Sequence, residues 1–521
     1  MKNKYIILCN VCLGTVLTSY VTSCINIALP NIMQSLGFNL DSIVWVSLGY
    51  LLPYGSMLPL TGTLGDQFSP RRMYIIGLII FTIATLFCGL STNATMLICF
   101  RILQGCGAAM LLPNAMSIVA ITFAAEDRSK ALGLWSAMSA LGTAAGPTIG
   151  GYIIEIFSWH AIFFSVIPLA AIGLALSFFV LPKSDDAQPS DVDYLGAALL
   201  LTGVSTFLLA LNQGQQEGWS SFYITTLFFI STAALLLFPL IELYVKHPIV
   251  DMTLFKNHNF VISNIVGCIS ILVMYAGVFL LPFFLKTVLG YDSIRAGLTM
   301  LPLSAAMLLT SPIGGWLVGR IGTRIPATVG FIMLGIALSL FHFIDPAYSS
   351  MHFHLRLLLF GVGLGLTMSP LTSCVVESVP EKKIGAASGV LNLCRIIGGG
   401  LGVVIASTLL NTRTVHHTHH LTEFIQPNYH AGNELTALMN QLWGKEGMSN
   451  TMIIDAVHGI FTGNGLSLSQ YTELKIILIN LVHRQAAIQS FQDVFLVLAA
   501  LCFLCLPFTV LIKSNCHVTI R

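Results

Sequence analysis

Asp66, Arg71 and Arg72 are crowded into a short polar stretch, Gly62-Thr-Leu-Gly-Asp-Gln-Phe-Ser-Pro-Arg-Arg72, between two long apolar runs at residues 43–61 and 73–91. Charges in such a place belong where a membrane meets water, since at bilayer depth each costs several kcal/mol. The carboxylate of Asp66 can pair with Arg71, with Arg72 or with the N-terminus of a facing helix, and such pairs can form and break. Gly62 and Gly65 leave room for another segment to come close. The stretch reads either as an ordinary basic membrane anchor or as a polar contact that opens and closes.

A second group lies inside an apolar run, where Arg101 and Gln104 stand ahead of Gly105 and Gly107. Arg101 is either a buried functional charge or a side chain that reaches back to the nearby outer interface. Candidate proton-carrying acids are Glu377, near a helix end, and Asp493, expected roughly 13 Å along the last helix and within the hydrocarbon. Asn26, Tyr50, Asn114 and Asn392 are further polar side chains within apolar runs and serve as cavity candidates. The tract His416, His417, His419, His420 offers imidazoles, but no Cys or carboxylate cluster accompanies it, so no metal site is expected. Cys502 and Cys505 have C-x-x-C spacing in apolar surroundings and read as small hydrophobes, not a redox pair. With no phosphate-binding P-loop, ATP is not the direct energy source. No cofactor is implied, and the chain is expected not to be an enzyme.

These residues need membrane-spanning helices to hold them. The chain is 55% hydrophobic and 9% charged, with a mean hydropathy of +0.84, values that fit a polytopic all-α membrane protein. A net charge of +2 argues against a nucleic-acid partner. Apolar runs long enough to cross the bilayer are expected near 6–28, 43–61, 73–91, 96–119, 131–154, 161–181, 194–211, 223–245, 260–285, 297–318, 326–343, 355–376, 386–410 and 490–512. The first is too long for a cleaved signal and is read as a retained helix. An even number puts both termini on one side. That side carries most of the Lys and Arg, including Lys4, Arg71, Arg72, Arg128, Lys382 and Lys383, against mainly Lys286 and Arg295 opposite. Both termini are therefore expected in the cytoplasm, with the chain in the cytoplasmic (inner) membrane.

The chain also repeats itself. Pro30, Pro59, Gly62, Leu64, Arg71, Gly142 and Gly146 find Pro282, Pro312, Gly315, Leu317, Arg324, Gly398 and Gly402 at a nearly constant offset. Parallel repeats of this kind predict two six-helix bundles, residues 1–182 and 257–521, around two extra helices in 183–256, with a polar outer insertion at 411–489. The insertion is expected to form a short helical cap over the outer mouth. Gly142-x-x-x-Gly146-Pro147-x-x-Gly150-Gly151 predicts a helix that touches a partner backbone to backbone and bends at the proline.

The Gly62 loop resembles the signature loop of the major facilitator superfamily, and the Gly142–Gly151 motif resembles the one that marks proton-driven exporters within it. Further carriers are Asn26-Ile-Ala-Leu-Pro30, Trp45 with Tyr50, the Arg101 motif, Trp159 to Pro168, Pro248-Ile-Val-Asp251-Met-Thr-Leu-Phe255, Gly385-Ala-Ala-Ser-Gly389 with Arg395, and Arg484-Gln-Ala ahead of Asp493-Val-Phe495. Together they resemble the fourteen-helix drug:proton antiporter branch of EmrB/QacA type. The resemblance implies a proton-driven exporter of amphipathic small molecules or drugs, with a small-molecule substrate, protons and the bilayer as partners. A periplasmic adaptor with an outer-membrane channel is the remaining partner class. Export of a metal chelate, siderophore or other specific metabolite is one alternative, and a non-transporting receptor of transporter fold is another. Three departures stand out. Tyr20, Val21 and Ser23 replace the first-helix Leu-Asp-x-Thr of many relatives, Ser69-Pro70 stands where Gly is usual, and His-Ala-Ile-Phe-Phe-Ser follows Trp159. Without the first-helix acid, uncharged or anionic substrates are expected over dications.

Overall fold

The computed structural model describes residues 4–38, 40–182, 193–245, 248–291, 293–343, 350–423 and 468–513. The described residues fold into helices, with no strand among them. The first six are α1 (Lys4–Leu36), α2 (Leu40–Phe68), α3 (Pro70–Gly89), α4 (Ala94–Thr122), α5 (Ala125–Ile156) and α6 (Trp159–Val180). A hairpin follows, α7 (Tyr194–Glu217) and α8 (Phe222–Glu242), and a strap with a 3-10 turn at Met252–Lys256 leads out of it. The second half is α9 (His258–Thr287), the short α10 (Ser293–Thr299), α11 (Leu301–Ile321), α12 (Arg324–His342), α13 (Ser350–Glu377), α14 (Ile384–Glu423) and α15 (Leu468–Leu511). Every expected span has its helix. Among the described residues 13 helices are long and apolar enough to cross a membrane; α5, rich in Gly, Ala, Ser and Thr, is the long helix outside that set.

Helix packing repeats as the sequence does. In the first half α1 packs on α5, α2 on α4, and α3 on both α4 and α6; in the second α9 packs on α14, α11 on α13, and α12 on both α13 and α15. Lipid is as apolar as Leu, so such contacts depend on close fit more than on the hydrophobic effect. The glycines supply that fit. A Cβ at Gly142 would stand 2.6 Å from the Val16 carbonyl oxygen and one at Gly146 2.7 Å from Ser23 Cβ. Their repeat partners Gly398 and Gly402 face the Cys268 and Leu272 carbonyls of α9 in the same way. Gly151 has nothing within 4 Å of that position, so this member of the motif holds no crossing. Polar side chains buried at the α1–α5 crossing are satisfied across it: Trp135 Nε1 donates to Thr15 Oγ1 at 2.8 Å and Ser23 Oγ to the Thr143 carbonyl at 2.7 Å.

The bundles meet at two pseudo-equivalent seams, α2 with α14 and α11 with α5. The hairpin breaks the equivalence, because α7 packs along both α2 and α14, with Ser407 Oγ donating to Gln215 Oε1.

The polar segment 411–489 differs from the expected insertion. Its first part continues α14 to Glu423 and its last part opens α15 at Leu468, while 424–467 lie outside the described residues. At 40 and 44 residues, these helices are ~60 Å or longer, twice the ~30 Å hydrocarbon core. The expected cap falls largely on residues that are not described.

Candidate functional site

The first and last described residues, Lys4 and Lys513, lie at one end of the molecule, tied there by Lys4–Asp127 and by Asn259 to Lys513. At this end the bundles are latched. Helix α14 starts at Ile384 with N–H groups that have no partner within the helix. The Asp66 carboxylate accepts from two of them, Gly385 N–H at Oδ1 and Ala386 N–H at Oδ2, each at 2.8 Å. A charge there gains both charge-assisted hydrogen bonds and the positive end of the helix dipole. Of the three expected partners the structure thus selects the facing helix. Arg71 instead donates to the Phe178 carbonyl at 2.6 Å, and Arg72 is exposed.

Small residues make the latch close enough to form. A Cβ at Gly62 would collide with the Gly385 carbonyl, and one at Gly389 would meet Leu58 O and Pro59 Cα at 2.6 Å. At Gly65 a Cβ would collide with Asn114 Oδ1. Asn114 is fully buried against α2, its Nδ2 donating to the Thr61 and Met110 carbonyls, so it supports the loop and does not line a cavity. Ser69 sits at φ 125, a region that disfavours any Cβ.

The repeat builds a second latch of different chemistry. Gly315 of α11 approaches the Ser129 carbonyl at the start of α5, and the place equivalent to Asp66 is Gly319. The acid comes from another helix. Ser129 Oγ donates to Glu377 Oε1 at 2.7 Å, and Arg128 pairs with Glu381 at 3.0 Å. The strap ties the hairpin into the first latch: Thr63 Oγ1 donates to the Ile249 carbonyl, Ile249 N–H to Glu242 Oε1 at 3.2 Å, and Lys383 pairs with Asp251. Burial opposes charge on Asp251, but Lys383 and the hydroxyl and N–H of Thr253 outweigh it and hold the carboxyl below the ordinary carboxylate range. In the sequence the strap motif is legible only as a resemblance; Thr63, Asp251, Ser129 and Lys383 carry no signal that would place them at one seam.

Arg101 does not reach for the interface. It is 0% exposed, donates from Nε to the Val46 carbonyl at 2.9 Å and from Nη1 to Gln104 Oε1 at 2.6 Å, and stacks over Tyr50 at 4.4 Å. Gln104 Nε2 continues to Thr85 Oγ1 at 2.6 Å. Tyr50, 1% exposed, is thus packed between the guanidinium and Tyr54, on whose ring it stacks at 5.4 Å. Asn392 is buried with Nδ2 on the Ser388 carbonyl, and the side chains of Asn26 and Pro147 lie outside what is described.

Asp493 is placed differently from expectation. Its Oδ2 meets His417 Nε2 at 2.9 Å and Arg413 Nε at 3.6 Å. It stands 18 residues from Leu511, the far end of α15, or ~27 Å, nearly the whole hydrocarbon thickness. The helix begins at Leu468, well before the span expected at 490–512. Asp493 is a paired group towards the end opposite the termini, and no metal-ligating cluster forms around the histidines among the described residues.

The family model for the Major Facilitator Superfamily matches residues 11–403. The chain belongs to that superfamily. It is 31% identical over 74% of its length to the multidrug resistance protein Stp of Mycobacterium tuberculosis (strain CDC 1551 / Oshkosh), covering 72% of that protein. It is 33% identical to the riboflavin transporter RibZ of Clostridioides difficile (strain 630), over 78% of this chain and 88% of that one. It is 28% identical to the multidrug export protein EmrB of Haemophilus influenzae (strain ATCC 51907 / DSM 11121 / KW20 / Rd), over 82% and 83%. These place it with the drug:proton antiporter branch. The fold is shared with the human organic anion transporter MFSD10 (TETRAN), at a TM-score of 0.60 and 13% identity over 96% of this chain and 100% of that one.

Proposed function

We propose that this superfamily member is a proton-driven exporter of amphipathic small molecules across the cytoplasmic membrane, with both termini in the cytoplasm. The observation that carries the reading is the Asp66 latch, which joins two bundles through the N-terminus of a helix and can be undone without unfolding either bundle. The Lys and Arg excess on the terminal end supports its assignment to the cytoplasm. Relatives named for multidrug resistance and export support the substrate class. In this reading Asp66 and the Gly62 loop gate the cytoplasmic side, Arg101 and Gln104 brace α4 against α2, Gly142 and Gly146 hold the α1–α5 pivot, and Glu377 is the acid placed to exchange a proton at the second latch. A periplasmic adaptor would have to meet the outer extensions of α14 and α15.

Uptake of a compound panel into everted vesicles, with and without an imposed pH gradient, tests it. Accumulation that collapses with a protonophore and returns with an imposed gradient is expected. Accumulation indifferent to the gradient would remove the proton coupling. A second reading, export of one flat aromatic metabolite, is favoured by the riboflavin-transporting relative and would appear in the same panel as a single strong hit.

A further inference from the structure

Arg395 differs from Arg101, another arginine within a membrane span whose side-chain contacts are described. It lies 11 residues into α14, counted from Ile384, hence ~17 Å from the latched end and near the bilayer midplane. Its guanidinium makes one hydrogen bond among the described residues, from Nη2 to Thr372 Oγ1 of α13, and its buried Nε has no partner. No carboxylate pairs with it among the described residues. Arg101, by contrast, has its guanidinium engaged by Val46, Gln104 and Tyr50. An unpaired charge at this depth is costly, and its partner is what reveals its use.

The surroundings are aromatic and come from both bundles. Tyr54 of α2 lies within electrostatic reach of both Arg395 and Tyr275 of α9, and the Tyr275 ring lies against Gly399, one turn beyond Arg395. Next to them Ile396 meets Gly55 of α2, where a Cβ would stand 3.2 Å from Ile396 Cγ2 and 2.9 Å from Leu208 of α7. Arg395, Tyr54 and Tyr275 each keep partial exposure, and both α2, which carries Tyr54, and α9, which carries Tyr275, pack on α14, which carries Arg395. A guanidinium with free N–H groups binds a carboxylate, sulfonate or phosphate in a forked pair, and tyrosine faces take a flat ring beside it.

We propose that Arg395, Tyr54 and Tyr275 form a midplane subsite for an aromatic organic anion, with Arg395 holding its acidic group. This deepens the exporter reading and rests on it for its purpose, while its test is equilibrium binding and requires no transport. The probes are fluorescein, a xanthene anion at pH 8, and rhodamine 123, a xanthene cation, titrated by fluorescence polarisation against the full chain in lipid nanodiscs. Fluorescein is expected to bind at least ~10-fold more tightly than rhodamine 123. Arg395→Gln should cost fluorescein ~10-fold or more while changing rhodamine 123 less than ~2-fold, and Arg395→Lys should recover part of the loss. In the unmodified chain, bound fluorescein should be displaced by naphthalene-2-sulfonate and not by naphthalene-2-methanol, a comparison that stands even where a variant fails to fold. Rhodamine 123 binding as tightly as fluorescein, absence of fluorescein binding, equal displacement by the two naphthalenes, or a folded Arg395→Gln chain with unchanged fluorescein affinity overturns the subsite. Loss of the subsite with proton-dependent export intact leaves the exporter reading standing; binding without export does the reverse.

Discussion

At the residue scale the latch depends on charge, not only on hydrogen-bonding shape. Asp66→Asn keeps an oxygen for one of the two N–H groups but loses the charge that faces the helix N-terminus. Charged hydrogen bonds contribute ~1.5–3 kcal/mol against about 1 for neutral ones, so a weakening near 1–2 kcal/mol is expected. Transport per molecule should fall about tenfold with membrane insertion unchanged; an Asp66→Asn chain that transports normally at matched expression removes Asp66 from the gate. Ser69 makes a prediction of opposite sign. Its φ of 125 places a Cβ where a glycine would rest, at a cost of order 1–3 kcal/mol, and its side chain caps nothing. Ser69→Gly should therefore stabilise the chain by ~1 kcal/mol, read as a higher thermal midpoint in detergent. A lower midpoint would mean that the hydroxyl contributes more than the strain costs. Asp251 adds a pH dependence. Its folded carboxyl is held below the ordinary value, so its contribution is present above the unfolded carboxylate range and is lost as pH falls through the lower, folded value. Wild-type stability should drop more steeply than that of Asp251→Asn as pH falls below ~4; parallel curves would show that the Lys383 pair contributes nothing.

Elements explain which parts of this were legible in the sequence. Spans and the α1–α5 crossing were readable because apolar length and glycine spacing are local properties: the backbone needs them wherever the helix lies. Gly146→Leu should lower transport at least ~10-fold by forcing α5 from Ser23, and Gly151→Ala, pointing into open space, should stay within ~2-fold. Comparable losses in both would deny that the motif works by contact. Depth and direction were harder. Asn114 looked like a cavity residue because composition gives no azimuth; its true neighbour, Gly65, lies on another helix. Asp493 looked buried in lipid because hydropathy ends a helix where apolar residues end, while α15 continues beyond the bilayer, where it needs none. Arg395 was visible only as part of a resemblance, since nothing local distinguishes an arginine whose donors are filled from one whose donors are free.

For the whole molecule, the two latches are equivalent in position and unlike in chemistry: one is a carboxylate on backbone N–H groups, the other a carboxylate on a serine hydroxyl. A repeat predicts the seam but not its occupants, because Gly62 recurs as Gly315 while the place of Asp66 is taken by Gly319. Ser129→Ala leaves the Asp66 latch untouched and removes one neutral hydrogen bond, ~1 kcal/mol. It should shift transport severalfold less than Asp66→Asn does; an equal or larger loss would make the second latch the dominant one.

The hairpin that lies along α2 and α14 has a consequence for how a molecule dissolved in the lipid could enter. A rocking pair of bundles parts at its seams, and each parted seam is a doorway from the leaflet as well as from water. Here α7 stands across one doorway, fastened at Gln215–Ser407, while at its counterpart between α5 and α11 the short α10 touches both helices. In the exporter reading, amphiphiles that travel in the membrane would enter sideways from the flank that α7 leaves uncovered, the α5–α11 side, and would meet Arg395 from across the interior.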